Sequence, residues 1–92
     1  MASKLVYRRS DAALFADVGS DVVALNVDKG HCYGMESVAA VVWNLLARPS
    51  SLDELCDSLI ERYDVEPEIC RKDIAALVGQ LEHEGLVQGV IR

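Results

Sequence analysis

The chain has 92 residues, of which 51% are apolar, and a formal net charge of −6. This length suits a single domain, 1–92, with a core of its own, and no apolar run approaches the ~20 residues that a bilayer crossing needs. The charge is uneven: residues 1–50 carry five basic and five acidic side chains, whereas 51–92 carry four basic against ten acidic, which argues against a phosphate-binding surface there.

Met1-Ala2-Ser3-Lys4 lacks the charged-then-apolar pattern of an export signal, so the expected compartment is the cytoplasm. Leu5–Arg8 reads as a short extended arm. In Leu14–Val18, the residues Leu14, Ala16 and Val18 alternate with Phe15 and Asp17, as in a half-buried strand. Gly19-Ser20-Asp21 supplies a turn into Val22–Val27, whose near-continuous apolar character predicts the central strand of a three-stranded antiparallel meander. A turn at Lys29-Gly30 folds the chain back as a hairpin. The returning strand, His31–Met35, is only about five residues long before a helical period takes over. A strand so placed lies at the edge of its sheet with unpaired backbone groups. Such an edge is either a liability to be covered or a site built to accept another chain's strand.

Val38, Val41, Val42, Leu45 and Leu46 recur at helical spacing, with Trp43 on the flank, and Pro49 stops this first helix near Ala47. Ser51-Leu52-Asp53-Glu54 forms a capping box for a second helix to about Tyr63, burying Leu52, Leu55, Cys56, Leu59 and Ile60. A third helix starts near Pro67, buries Cys70, Ile74, Leu77, Val78 and Leu81, and stops at Gly85. Leu86–Ile91 suits a short final strand. This order predicts an α+β fold, winged-helix-turn-helix-like, with a three-stranded antiparallel sheet followed by three helices.

A winged helix first suggests DNA binding through the third helix. That helix, however, bears Glu66, Glu68, Asp73, Glu82 and Glu84 against only Arg71 and Lys72, so its surface repels phosphate. Catalysis finds little support. His31 and Cys32 adjoin in sequence, but neighbours on a strand point to opposite faces. His83, between Glu82 and Glu84, reads as a solvated residue. Cys32, Cys56 and Cys70 are an odd number with no close pair, so they read as buried or half-buried free thiols rather than a disulfide or zinc set. No phosphate loop, carboxylate pair or metal-ligand spacing occurs, and no enzyme activity or cofactor is expected. Asp53, Glu54 and Asp57 read as a solvated helix face, and Tyr33 and Met35 as the inner side of their strand.

The run DVVALNVDKGHCYGMESVAAVVWNLL resembles the signature of the PqqD-like family: a strand, D-x-x-x-G, an aromatic, Gly, a polar pair and an amphipathic helix with a central Trp. The run SLDELCDSLIERYDVEPEICRKDIAALVGQLEHEGLV continues it, and together the likeness spans about Leu5 to Val87. The resemblance implies a RiPP recognition element, a small domain that binds the leader of a ribosomally made precursor peptide and presents it to modifying enzymes. It implies that the leader adds as an antiparallel strand to His31, Cys32, Tyr33, Gly34 and Met35, in a groove beside the third helix. Candidate groove residues on that helix are Asp73, Ala76, Leu77 and Gln80. Arg71, Ala75 and Val78 flank the buried stripe on its other side, and the sequence leaves open which flank faces the strand.

The implied partners are a precursor leader peptide and maturation enzymes. Those enzymes are a leader peptidase and a cyclase in a lasso-peptide pathway, or a radical enzyme in coenzyme PQQ synthesis. His31-Cys32-Tyr33 has one aromatic where many relatives carry two adjacent ones, which favours the lasso-type pathway. The other readings are an acidic winged-helix regulator and a dimerisation module using the same edge. The expected state is a monomer or weak dimer without nucleic-acid or membrane partners.

Overall fold

The computed structural model describes residues 4–91. Its elements in chain order are β1 (Leu5–Arg9), β2 (Ala13–Val18), β3 (Asp21–Asn26), β4 (His31–Met35), α1 (Val38–Leu45), α2 (Leu52–Arg62), α3 (Pro67–His83) and β5 (Val87–Ile91). In β3 the side chains of Val22, Ala24 and Asn26 are buried whereas Val23 is exposed, so the apolar run covers one face only. Strands β2, β3 and β4 form the expected antiparallel meander with β3 in the middle. The register aligns Phe15, Ala24 and Tyr33 in one row and Val22 with Met35 in the next, and these rows face the helices.

The extended N-terminal arm is a paired strand. β1 pairs antiparallel with β5 in a separate two-stranded sheet, Leu5 opposite Ile91 and Arg9 opposite Val87. Such a pairing joins segments from the two ends of the chain, and local periodicity in either one carries no trace of the other.

Trp43 is not on the flank of α1 but fully buried, together with Ala40, Val42 and Leu46, while Val38 is exposed. The reason lies outside the helix. Arg9 donates Nε and Nη2 to the Trp43 carbonyl at 3.1 and 2.6 Å, and its guanidinium stands 4.4 Å from the Phe15 ring centre and 4.7 Å from that of Trp43. Phe15 meets the indole edge-on at 5.5 Å. The β1–β2 corner therefore covers the Trp43 side of the helix, and burial lowers the Arg9 pKa against the opposing pull of Asp17.

Helix α2 begins with both halves of its capping box: Glu54 N–H donates to Ser51 Oγ at 3.2 Å, and Ser51 N–H donates to Glu54 Oε1 at 2.9 Å. Its Leu55, Cys56 and Leu59 pack against Cys70, Ile74, Val78 and Leu81 of α3. At the far end of α3, Gly85 takes φ +75° and lets Gly85 N–H reach the Glu82 carbonyl and Leu86 N–H the Leu81 carbonyl, each at 2.9 Å. Asn26 Nδ2 then donates to the Gly85 carbonyl at 2.7 Å, and a Cβ on residue 85 would run into the Asn26 side chain. This close approach fixes the C-terminal end of α3 against the end of β3, next to β4.

Candidate functional site

Strand β4 forms its ladder with β3, and among the described residues its opposite edge makes no backbone hydrogen bond. The edge of β1 is different. Tyr7 N–H donates to the Ser50 carbonyl at 2.7 Å and Ser50 N–H to the Tyr7 carbonyl at 2.9 Å, which closes that strand.

The wall beside β4 is the last turn of α3. Lys29 Nζ donates to the His83 carbonyl at 2.9 Å, His31 Nδ1 lies 3.5 Å from Glu84 Oε2, and Gln80 Nε2 donates to Glu84 Oε1 at 3.2 Å. Lys29, His31, His83 and Glu84 enclose a recess of about 240 Å³ where strand and helix meet. The opposite flank of α3 is engaged elsewhere: Arg71 pairs with Asp53 of α2, and Glu82 Oε2 lies 3.4 Å from where a Cβ on Gly89 of β5 would stand. The contacts with β4 run through Gln80 and Glu84, which lie on the same flank of α3 as Asp73 and Leu77.

The structure gathers some of the expected residues more closely than others. His31, Cys32 and Gly34 are exposed, Tyr33 is half-buried and Met35 is buried. On α3, Gln80 reaches His31 through Glu84, and Leu77 is half-buried at the margin of the core. Asp73 and Ala76 are exposed further up the same flank, without a hydrogen bond or ion pair to β4. From Asp73 to Glu84 the helix rises about 16 Å, slightly more than the length of β4.

Asn26, Lys29, His83 and Glu84 belong to this corner and lay outside the expected set. Asn26 had a visible signal. It lies two residues before Asp28 of the Asp28-Lys29-Gly30 turn, and its Oδ1 accepts from Asp28 N–H at 2.9 Å and Lys29 N–H at 3.0 Å, the local hydrogen bonding typical of an Asn that starts a turn.

Cysteine placement corrects one expectation. Cys56 and Cys70 are buried between α2 and α3, but Cys32 is exposed because it points to the outward face of an edge strand. Burial, and then the nearby Cys70, pushes the Cys56 thiol up to about 11. Among the described residues no three His, Cys, Asp or Glu side chains converge as a metal site would require, and no helix is long and apolar enough to cross a membrane.

The outward face of the sheet is unusually apolar. Leu14 and Val18 of β2 are each 60% exposed and Val23 of β3 is 41% exposed, and they share this face with Ala16, Leu25, Cys32 and Gly34. At its end, a second recess of about 310 Å³ opens between Val18, Asp21, Val23, Gly34 and Glu36.

Two solved structures share this arrangement of elements. One is TbiB1 in complex with the TbiA(beta) leader peptide, at 25% identity and a TM-score of 0.84, covering 88% of this chain and 94% of that one. The other is a lasso peptide synthetase B1 complexed with the leader peptide, at 26% identity and a TM-score of 0.79, covering 89% and 96% respectively. No curated protein sequence gives a significant match. Residues 21–87 match the model of coenzyme PQQ synthesis protein D, a span running from the first residue of β3 to the first of β5. The chain belongs to the PqqD family.

Proposed function

We propose that the chain is a non-catalytic adaptor that binds the leader of a ribosomally made precursor peptide as an added strand on β4 and presents it to maturation enzymes. The observation that carries this reading is an edge strand, open along its outer side, with the flank of α3 standing beside it. The two similar structures, each in complex with a leader peptide, support it. The likeness to a lasso peptide synthetase B1 favours a leader peptidase and a cyclase as the enzymes served.

The physics of strand addition fits the corner. Backbone hydrogen bonds to β4 give affinity without regard to sequence, and alternate side chains of the added strand give selectivity. One set lies over the α3 side, near Leu77 and Gln80; the other lies outward, beside Cys32 and Gly34. An antiparallel strand enters at Met35 and leaves at His31, so the segment that follows the leader emerges at the C-terminal end of α3. The leader, disordered when free, spends part of its binding energy on ordering, and a few anchors decide affinity.

The test uses a synthetic leader peptide from a short precursor reading frame sought beside this gene. Cys32→Pro removes a backbone donor and kinks β4, and Ala16→Pro does the same to β2. A binding titration is expected to show at least a tenfold loss, about 1.4 kcal/mol, for Cys32→Pro and little change for Ala16→Pro. Unchanged affinity in a still-folded Cys32→Pro protein would overturn strand addition on β4.

A further inference from the structure

The outward recess at Gly34 plays no part in pairing a peptide backbone with β4, and its shape and charge point to a specific occupant. A Cβ on Gly34 would meet nothing within 4 Å. The register sets Val23 directly across from Gly34 and Ala16 across from Val23, so one outward row of the sheet has a gap at its outermost place. Val18 and Val23 supply apolar walls, Val22 and Met35 also line the recess, and among the described residues Asp21 and Glu36 are its only charged ones. Neither carboxylate forms an ion pair among the described residues.

A strand added to β4 places one side chain directly opposite Gly34 and on the same outward face. Adjacent strands are about 4.8 Å apart, and glycine offers nothing to hold that side chain away, so a long one lies across Gly34 towards Val23. A short side chain leaves the recess empty. A bulky neutral one fills it but strips water from two carboxylates without replacing their partners. An aliphatic stem with a cationic head satisfies both demands.

We propose that this recess is a subsite for an arginine or lysine of the bound peptide, its stem crossing Gly34 onto Val23 and its head between Asp21 and Glu36. The inference rests on strand addition at β4 and adds a charge preference at one position of the leader. The net charge of −6 favours such a residue further, by attracting basic peptides at low ionic strength.

The experiment is a double-mutant cycle read by amide chemical shifts and affinity together. The wild-type protein, the pair Asp21→Asn/Glu36→Gln, and Gly34→Val are each titrated with the leader encoded beside the gene. Each protein is then titrated with leader versions in which one Lys or Arg at a time is replaced by Gln. Valine is a favourable strand residue and the space at Gly34 is open, so the Gly34→Val protein is expected to fold. One Lys or Arg replacement should weaken wild-type binding about three- to tenfold, and have no further effect in the Asp21→Asn/Glu36→Gln protein. Gly34→Val should abolish the same discrimination by filling the gap. A leader without a basic residue in the strand-forming segment would overturn the subsite, as would full additivity in the cycle. If the amides of 31–35 still shift in those cases, strand addition stands and only the subsite falls. If they stay silent while the leader binds, strand addition falls and the subsite with it.

Discussion

β2 and β4 flank the same central strand, and each leaves one row of backbone groups without a neighbouring strand. They differ in what stands beside that row. On β2, Asp17 sits in the strand, the exposed side chains of Leu14, Phe15 and Val18 are large, and Arg9 is stacked over Phe15. On β4, Gly34 leaves a gap, and the end of α3 is held alongside by Asn26, Lys29 and His31. Charge and bulk discourage pairing at one edge, whereas a wall and a gap favour it at the other. What separates the two edges is not their unpaired backbone groups but the helix end that stands beside one of them.

Removing the wall tests this contrast most severely. Leu81 is fully buried in α3, and Leu81→Ala is expected to cost about 2–5 kcal/mol in urea denaturation. The matching truncation on the other edge, Leu14→Ala, removes a 60% exposed side chain and should stay within about 0.5 kcal/mol. Gly85→Ala acts where the wall is fixed to the sheet. At φ +75°, with Asn26 in the way, it should cost about 1–3 kcal/mol and weaken leader binding more than Leu14→Ala does.

Much of this contrast was legible in the sequence. The apolar run at β3 marked the central strand, and the abrupt change of period after Met35 marked β4 as a short edge. The capping box and Gly85 set the bounds of α2 and α3. Other features were hidden because they depend on contacts distant in the chain. The pairing of β1 with β5, the cover that Arg9 gives Trp43, and the contact of Glu84 with His31 all join residues more than 30 positions apart. Cys32 was read as at least half-buried because free cysteines usually are, but its outward place follows from the register of β4 with β3.

Two weaker effects probe the account away from the edges. Ser51→Ala removes half of the capping box and should cost about 0.5–2 kcal/mol, with leader affinity unchanged because the cap follows the bridge of Ser50 to β1 rather than lying in the recess beside β4. The hydrogen bond from Ser51 N–H, aided by Lys4, holds the Glu54 carboxyl below its ordinary value of 4.5. A carboxyl lowered on folding stabilises the protein fully above its unfolded pKa, and that contribution is lost as pH falls through the lowered folded value. The stability gap between wild type and Glu54→Gln should therefore persist at neutral pH and close in acid. The smallest effect is a rate. Iodoacetamide at pH 8 should label Cys32 before Cys56 and Cys70, since Cys32 is exposed and the buried Cys56 thiol sits at about 11. Bound leader should slow the labelling of Cys32.

The most direct measurement is amide hydrogen exchange of the full chain with and without the leader. Leader binding on β4 should slow exchange across His31–Met35 and leave Ala13–Val18 unchanged. Slowed exchange across Ala13–Val18 with His31–Met35 unaffected, or no change at either edge when the leader is bound, would contradict it.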